Sequence, residues 1–243
     1  MSLSIAGKTV LVTGANRGLG KSLVDEALSR GAKRVYAGTR QPFSHPDERV
    51  VPLILDVTDP AQIQEAVDGV GSLDILINNA GVSVPNDLSD RPAFERHLAV
   101  NLYGTLDVTR GFLPSLKRSR GAVVNVVSLA AVAAVPVLPA YSLSKAASLS
   151  LSQSLRALLA GAGVRVHAVL PGPIDTDMVR DLDVPKTSPE DVARGTLDGV
   201  ERGEEEIFPD PMSQSIAHGW RAGVAKEFER QNAALVPAEP LAA

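Results

Sequence analysis

The sequence predicts a doubly wound α/β fold, with a seven-stranded, mostly parallel sheet and helices on both faces. Three observations carry this. Short β-branched runs alternate with longer amphipathic or Ala/Leu-rich segments along the chain. The short runs are continuously apolar rather than alternating, as strands buried on both faces are. The first run leads directly into a glycine-rich turn, "TGANRGLG", at the kind of strand end where such sheets bind ligands. A length of 243 residues suits one large domain spanning 1–243, with 236–243 expected as a loose tail.

Taken in order, strands are expected at Thr9–Thr13, Arg34–Ala37, Val50–Leu55, Asp74–Asn78, Val123–Ser128 and Val164–Leu170, with a short one at Glu206–Phe208. Helices are expected at Gly18–Ser29, Pro60–Val70, Arg91–Arg118, Ala140–Ala160, Pro189–Arg202 and Met212–Arg230. Pro114 should end or kink the third of these. The second and third strands are joined only by "QPFSHPDER". A crossover between parallel strands normally needs about a dozen residues, usually helical. Pro42 and Pro46 work against even one helical turn, so the helix after the second strand is expected to be shortened or absent.

Composition narrows the function. A 44% hydrophobic and 21% charged chain is ordinary for a soluble globular protein. A formal net charge of −4 argues against nucleic acid or an acidic membrane surface as partner. The absence of cysteine excludes disulfides and thiolate chemistry. His45, His97, His167 and His218 are scattered, so no metal site is expected and the histidines read as structural or exposed. The N-terminus lacks the pattern of a signal peptide, and no apolar stretch is long enough to span a bilayer. A cytoplasmic location follows as an expectation.

The glycine turn carries chemistry. Gly14, Gly18 and Gly20 sit between a strand and a helix start. Glycine permits positive φ and close backbone approach, and a helix N-terminus offers free N–H groups to a pyrophosphate. Farther on, Tyr141 and Lys145 are four apart on one helix face, and Ser128 stands at the end of the fifth strand.

In order along the chain, "TGANRGLG", "LDILINNAG", "VNLYG", "NVVSLAA", "AYSLSK" and "LPGPIDTDM" together resemble the motifs of the short-chain dehydrogenase/reductase family, in its single-domain branch with a Rossmann fold. Ala131 and Leu170 depart from residues frequent in that family. The resemblance implies a Ser-Tyr-Lys-Asn site made of Ser128, Tyr141, Lys145 and Asn101. Hydride reduction of a carbonyl needs a proton for the developing alkoxide. Tyr141 would supply it as general acid, and act as general base in the reverse direction. Lys145 would lower the tyrosine pKa and hold the nicotinamide ribose. Ser128 would hold the substrate oxygen. Asn101 would hold a water in a proton relay; the bland alternative is a structural amide at a helix irregularity.

Cofactor contacts are implied at Gly14, Asn16, Arg17, Gly18, Leu19 and Gly20. Asp56 and Val57 would meet the adenine, and Asn79, Ala80 and Gly81 would line the cleft beside Tyr141 and Lys145. Pro171, Gly172, Ile174, Thr176 and Met178 would close over the nicotinamide. Where members preferring NAD carry an acid at the end of the second strand, this chain has Thr39 and Arg40. With Arg17, these would clamp a 2′-phosphate through charge-assisted contacts, so NADP(H) is expected over NAD(H). Val179 and Leu182 are candidate substrate residues, in a short apolar segment suited to a ketone, aldehyde or secondary alcohol with hydrophobic substituents. A homotetramer is implied, with a dimer as the alternative. The competing reading is a non-catalytic, NADP(H)-sensing protein on the same fold. A nucleotide-sugar epimerase, which shares Y-x-x-x-K, is disfavoured by the short stretch after Thr176.

Overall fold

A strand followed by a helix, repeated, lays parallel strands side by side. The computed structural model describes residues 3–84, 86–87, 89–180 and 183–236. Its strands are β1 (Thr9–Thr13), β2 (Arg34–Thr39), β3 (Val50–Ile54), β4 (Ile75–Asn78), β5 (Ala122–Val126), β6 (Arg165–Val169) and β7 (Glu206–Ile207). They form one seven-stranded sheet in the order β3-β2-β1-β4-β5-β6-β7. Each neighbouring pair runs parallel. The strand order reverses between β1 and β4, which opens a crevice at their C-terminal ends.

The helices are α1 (Gly18–Ser29), α2 (Pro60–Val70), α3 (Arg91–Leu98), α4 (Thr105–Ser119), α5 (Pro139–Ala160), α6 (Pro189–Arg202), α7 (Pro211–Arg221) and α8 (Val224–Ala233). Successive strand residues point to opposite faces, and each face has its own core. Val10, Val12, Val35, Ile75, Ile77 and Val124 pack on one side with Leu23 and Val24 of α1 and Val192 and Leu197 of α6. Leu11, Tyr36, Leu76 and Val123 pack on the other with Ile63 of α2, Phe112 and Leu116 of α4, and Leu155 and Leu159 of α5. The continuously apolar strands are thus two interleaved faces.

The link from β2 to β3 contains no helix. Phe43 packs against the α1-side core in its place. His45 Nε2 lies 3.3 Å from Asp25 Oδ1 of α1, and Arg49 donates to the Leu28 carbonyl at 3.2 Å. Pro52 is tolerated because β3 is an edge strand, where a missing N–H can face outward.

Several expected elements differ. The helix predicted over Arg91–Arg118 is interrupted not at Pro114, which lies inside α4, but by a π-helical segment, Ala99–Gly104. Such bulges release a backbone carbonyl from the regular ladder. The helix predicted over Met212–Arg230 is broken between α7 and α8 at Ala222–Gly223. A Cβ on Gly223 would lie 2.7 Å from the Gly219 carbonyl oxygen, so the chain folds back tightly there. This return delivers Lys226, 2% exposed, to Glu205, Glu206 and Glu229 at 2.8–2.9 Å, with Arg156 joining Glu206 at 2.8 Å. Finally, β5 ends at Val126, leaving Ser128 beyond the strand, and β2 extends to Thr39. Among the described residues no helix is long and apolar enough to cross a membrane. The expected tail lies outside the described residues apart from Val236.

Candidate active site

The crevice begins with the glycine turn. Gly14 has φ +66° and Gly18 φ +51°, conformations that favour glycine. A Cβ on Gly20 would collide with the Gly14 carbonyl oxygen and come within 2.6 Å of Asn79 Nδ2. Asp59, Asp90, Ser188 and Asp210 cap α2, α3, α6 and α7, whereas α1 has no side-chain cap and no acid in its first turn. Its leading N–H groups therefore face the crevice as a cradle for an anion. Leu19 is buried beneath the turn, while Asn16 and Arg17 are exposed above it.

Thr13 and Asn79 lock the neighbouring segment. Thr13 Oγ1 accepts the N–H groups of Asn79 and Ala80, both at 3.0 Å. Asn79 Nδ2 donates to the carbonyls of Thr13 at 2.9 Å and Gly14 at 3.2 Å. The Asn79 amide thus joins the end of β4 to the glycine turn. Gly81 lies over the site: a Cβ there would be 3.4 Å from Asn101 Oδ1 and 3.7 Å from Lys145 Nζ. Val57 packs on the π-segment, whose Gly104 has no room for a side chain beside it.

Arg17 and Arg40, beyond β1 and β2, differ in their surroundings. Arg17 pairs with Asp177 Oδ2 at 3.0 Å. Asp177 also pairs with Arg180. Arg40 is exposed, and its charge helps hold the Asp56 carboxyl below its usual value. Burial opposes that shift; hydrogen bonds from the Thr58 N–H and hydroxyl outweigh it. Thr39 is 2% exposed, and its hydroxyl donates to the Gln41 carbonyl at 2.6 Å.

The loop after β6 folds across the glycine turn. A Cβ on Gly18 would lie 3.1 Å from Thr176 Cγ2. Leu129 N–H donates to the Pro171 carbonyl at 2.9 Å, and Gly172 N–H to Asp210 Oδ2 at 2.9 Å. Ile174 bridges to Thr187. Met178 is exposed, Val179 half-buried, and Leu182 lies outside the described residues.

Ser128, Tyr141 and Lys145 meet where β5 and α5 approach. The Ser128 hydroxyl lies close enough to the Tyr141 phenol to favour its ionised form. Lys145 Nζ lies 5.7 Å from the centre of the Tyr141 ring and donates to the Val126 carbonyl at 2.8 Å. Burial holds the Lys145 ammonium down to about 8. Burial also pushes the Tyr141 phenol up, against the pull of Ser128. The lysine was expected to lower the tyrosine pKa; here desolvation outweighs any such pull. The phenol stays protonated, which is the state a general acid needs.

Asn101 is 2% exposed and fully engaged. Its Oδ1 accepts the Val82 N–H at 2.9 Å, and its Nδ2 donates to the Val82 carbonyl at 3.0 Å and Ser144 Oγ at 2.9 Å. Its main-chain carbonyl accepts the hydroxyls of Thr105 at 3.1 Å and Ser148 at 2.8 Å. The Ser148 proton is shared between that carbonyl and the Ser144 carbonyl, both at 2.8 Å.

Sequence reasoning missed four residues. Ser144 and Ser148, on the buried face of α5, tie that helix to Asn101. His97 holds the segment after β4. Asp210 joins the turn after β6 to α7. Asp210 had a legible signal: an N-cap residue followed by proline. The three others show only when α3 and α5 are packed together.

This geometry has close counterparts. The short chain dehydrogenase family profile matches residues 8–186. An uncharacterized oxidoreductase of Staphylococcus saprophyticus is 31% identical over 80% of this chain and 92% of its own. Mouse estradiol 17-beta-dehydrogenase 2 is 33% identical over 75% of this chain, and the match spans 52% of that longer protein. A short chain dehydrogenase from Burkholderia cenocepacia, solved in complex with NADP, superposes with a TM-score of 0.86 at 38% identity, over 97% of this chain and 100% of that one. With the profile covering most of the sequence and the sheet order, glycine turn and tyrosine–lysine helix all in place, the chain belongs to the short-chain dehydrogenase/reductase family of oxidoreductases.

Proposed function

We propose that the protein reduces a ketone or aldehyde to an alcohol at the expense of NADPH, and runs the reverse oxidation of a secondary alcohol. The observation that carries this is the meeting of Ser128, Tyr141 and the buried Lys145, whose Nζ lies 5.7 Å from the centre of the tyrosine ring. The residues fit a dinucleotide: the side-chain-free turn at Gly14 and Gly20 and the uncapped α1 N-terminus suit a pyrophosphate. Arg40, and Arg17 once released from Asp177, would meet a 2′-phosphate, with no acid between Val35 and Pro46 to repel it. The related Burkholderia protein was solved with NADP, in keeping with this choice. When bound, the nicotinamide supplies the hydride.

The chain's own groups do the rest. Ser128 holds the carbonyl oxygen and stabilises its developing charge. Tyr141, kept protonated, gives its proton to that oxygen. Lys145 stabilises the resulting phenolate and binds the nicotinamide ribose. Asn101 fixes the backbone around the pair. The substrate side is apolar. Val135 (37% exposed), Met178 (47%), Met212 (43%) and Ile216 (37%) are exposed apolar side chains before α5, after β6 and on α7. Between Arg120 and Arg156 the only charged residue is Lys145. An uncharged substrate with hydrophobic substituents suits this rim. We further place the protein in the cytoplasm as a homotetramer, the arrangement its motifs imply.

The test is NADPH oxidation, followed by absorbance, across a panel of ketones, for the wild type and Tyr141→Phe. Turnover that falls by about a thousandfold or more in the variant supports the reading, since positioned acid catalysis is worth about 10²–10⁴. NADPH binding without turnover on a broad panel would instead support a sensing role.

A further inference from the structure

Val82, Val84 and Asn86 are each fastened beside α3 and α5. Val82 is held on both its N–H and carbonyl by the Asn101 amide, at 2.9 and 3.0 Å. Val84 gives its N–H to His97 Nε2 at 3.1 Å. Asn86 Nδ2 returns to the Val84 carbonyl at 2.7 Å, and Asn86 Oδ1 accepts the N–H of Ala140 at 3.3 Å. Ala140 immediately precedes Tyr141. His97 and Asn101, four apart on the α3–π run, hold Val84 and Val82, and the first turn of α5 holds Asn86.

His97 also touches the tyrosine directly. It is 0% exposed, and its ring stands edge-on to Tyr141, with centroids 6.5 Å apart and planes at 72°. Its two nitrogens have fixed roles. Nδ1 lies 2.6 Å from the Ala93 carbonyl oxygen, which can only accept, so Nδ1 carries the proton. Nε2 faces the Val84 N–H, which can only donate, so Nε2 is bare. A neutral imidazole satisfies both contacts; an imidazolium would set two donors against each other.

We propose that His97 is a positioning residue for Tyr141: a neutral imidazole, protonated on Nδ1, that fixes the tyrosine ring and the Val84 backbone as one unit. This rests on the reading of Tyr141 as the proton donor. Positioning errors of about an ångström cost up to about a hundredfold in rate, and one lost contact beside the acid is placed at about tenfold or more on the same scale.

Two measurements test it. The first is ¹⁵N–¹H NMR of the histidine side chains near neutral pH, with His97 assigned through a His97→Gln sample. The expected pattern is the Nδ1–H tautomer; an Nε2–H or fully protonated ring would overturn the proposal. The second compares His97→Phe, which keeps the ring edge but has no acceptor, with His97→Gln, whose side-chain oxygen can accept from Val84. His97→Phe should lower kcat by about tenfold or more with the KM for NADPH unchanged, and His97→Gln should recover most of the loss. Unchanged kcat in His97→Phe, or equal losses in the two variants, would overturn it. If His97→Phe fails to fold, kcat of the folded His97→Gln against wild type and the tautomer decide. If no ketone is consumed by the wild type, the reading of Tyr141 fails, while the tautomer still stands or falls on its own.

Discussion

Replacing Lys145 with methionine should remove a pH-dependent cost from folding. The ammonium is 5% exposed, and burial lowers its pKa from 10.5 to about 8. Each pKa unit corresponds to about 1.4 kcal/mol, so holding this charge costs the folded free protein about 3 kcal/mol at neutral pH. The native lysine loses its proton before the unfolded one does. Between pH about 8 and about 10.5 the unfolded chain therefore binds more protons, and stability rises with pH. About 2 kcal/mol of the cost should be recovered between pH about 7 and about 10. Lys145→Met cannot show this gain, while every other titrating group is common to both proteins. Its lost hydrogen bond to the Val126 carbonyl shifts stability equally at both pH values and drops out of the comparison. The assay is urea unfolding of wild type and variant at those two pH values, without cofactor. A stability difference that stays constant between them would refute the desolvation argument. The same proton matters for turnover, because an uncharged Lys145 no longer favours the Tyr141 phenolate.

Other outcomes follow from single contacts. Arg40→Ala should cut kcat/KM for NADPH about ten- to a hundredfold, the worth of a charge-assisted hydrogen bond of about 1.5–3 kcal/mol, and leave NADH unchanged; equal losses with both would remove Arg40 from the phosphate site. Thr39 is the poorer probe, since an aspartate there would face the Gln41 carbonyl its hydroxyl now satisfies. Asp210→Ala should destabilise by about 2–3 kcal/mol in chemical denaturation, through loss of a helix cap and of the partner of the Gly172 N–H. Lys226→Met should cost about 3 kcal/mol, the lower end for breaking a buried ion pair, because Arg156 still reaches Glu206 at 2.8 Å; no change in the unfolding midpoint would show that α8 is not held by this network.

Most of the sheet was legible because apolar runs and glycine punctuation are local signals. The helix-poor link after β2 was legible for the same reason: two prolines act on their immediate neighbours. What escaped depends on partners distant in sequence. The π-segment at Ala99–Gly104 follows from how Asn101 meets Val82 and how its carbonyl meets Ser148, and no local pattern reports that. Pro114, the obvious breaker, does no more than occupy a turn of α4. The split between α7 and α8 turns on Gly223, a residue that helical periodicity treats as a minor blemish. At the site, the grouping of Ser128, Tyr141 and Lys145 was implied by the family resemblance, but the direction of the tyrosine shift was not. It depends on how much water the packed helices exclude, a property of the assembled chain.

Asp210 has a consequence for redesign. Through its carboxylate the turn after β6, which would close over a nicotinamide, and the start of α7, whose Met212 packs against Gly172, share a single fastening. A swap of α7 made to widen substrate range would also shift the cofactor side unless that aspartate and Ser213 travel with it. The two halves of the cleft are one inheritable part, and libraries that vary them independently should recover few active combinations.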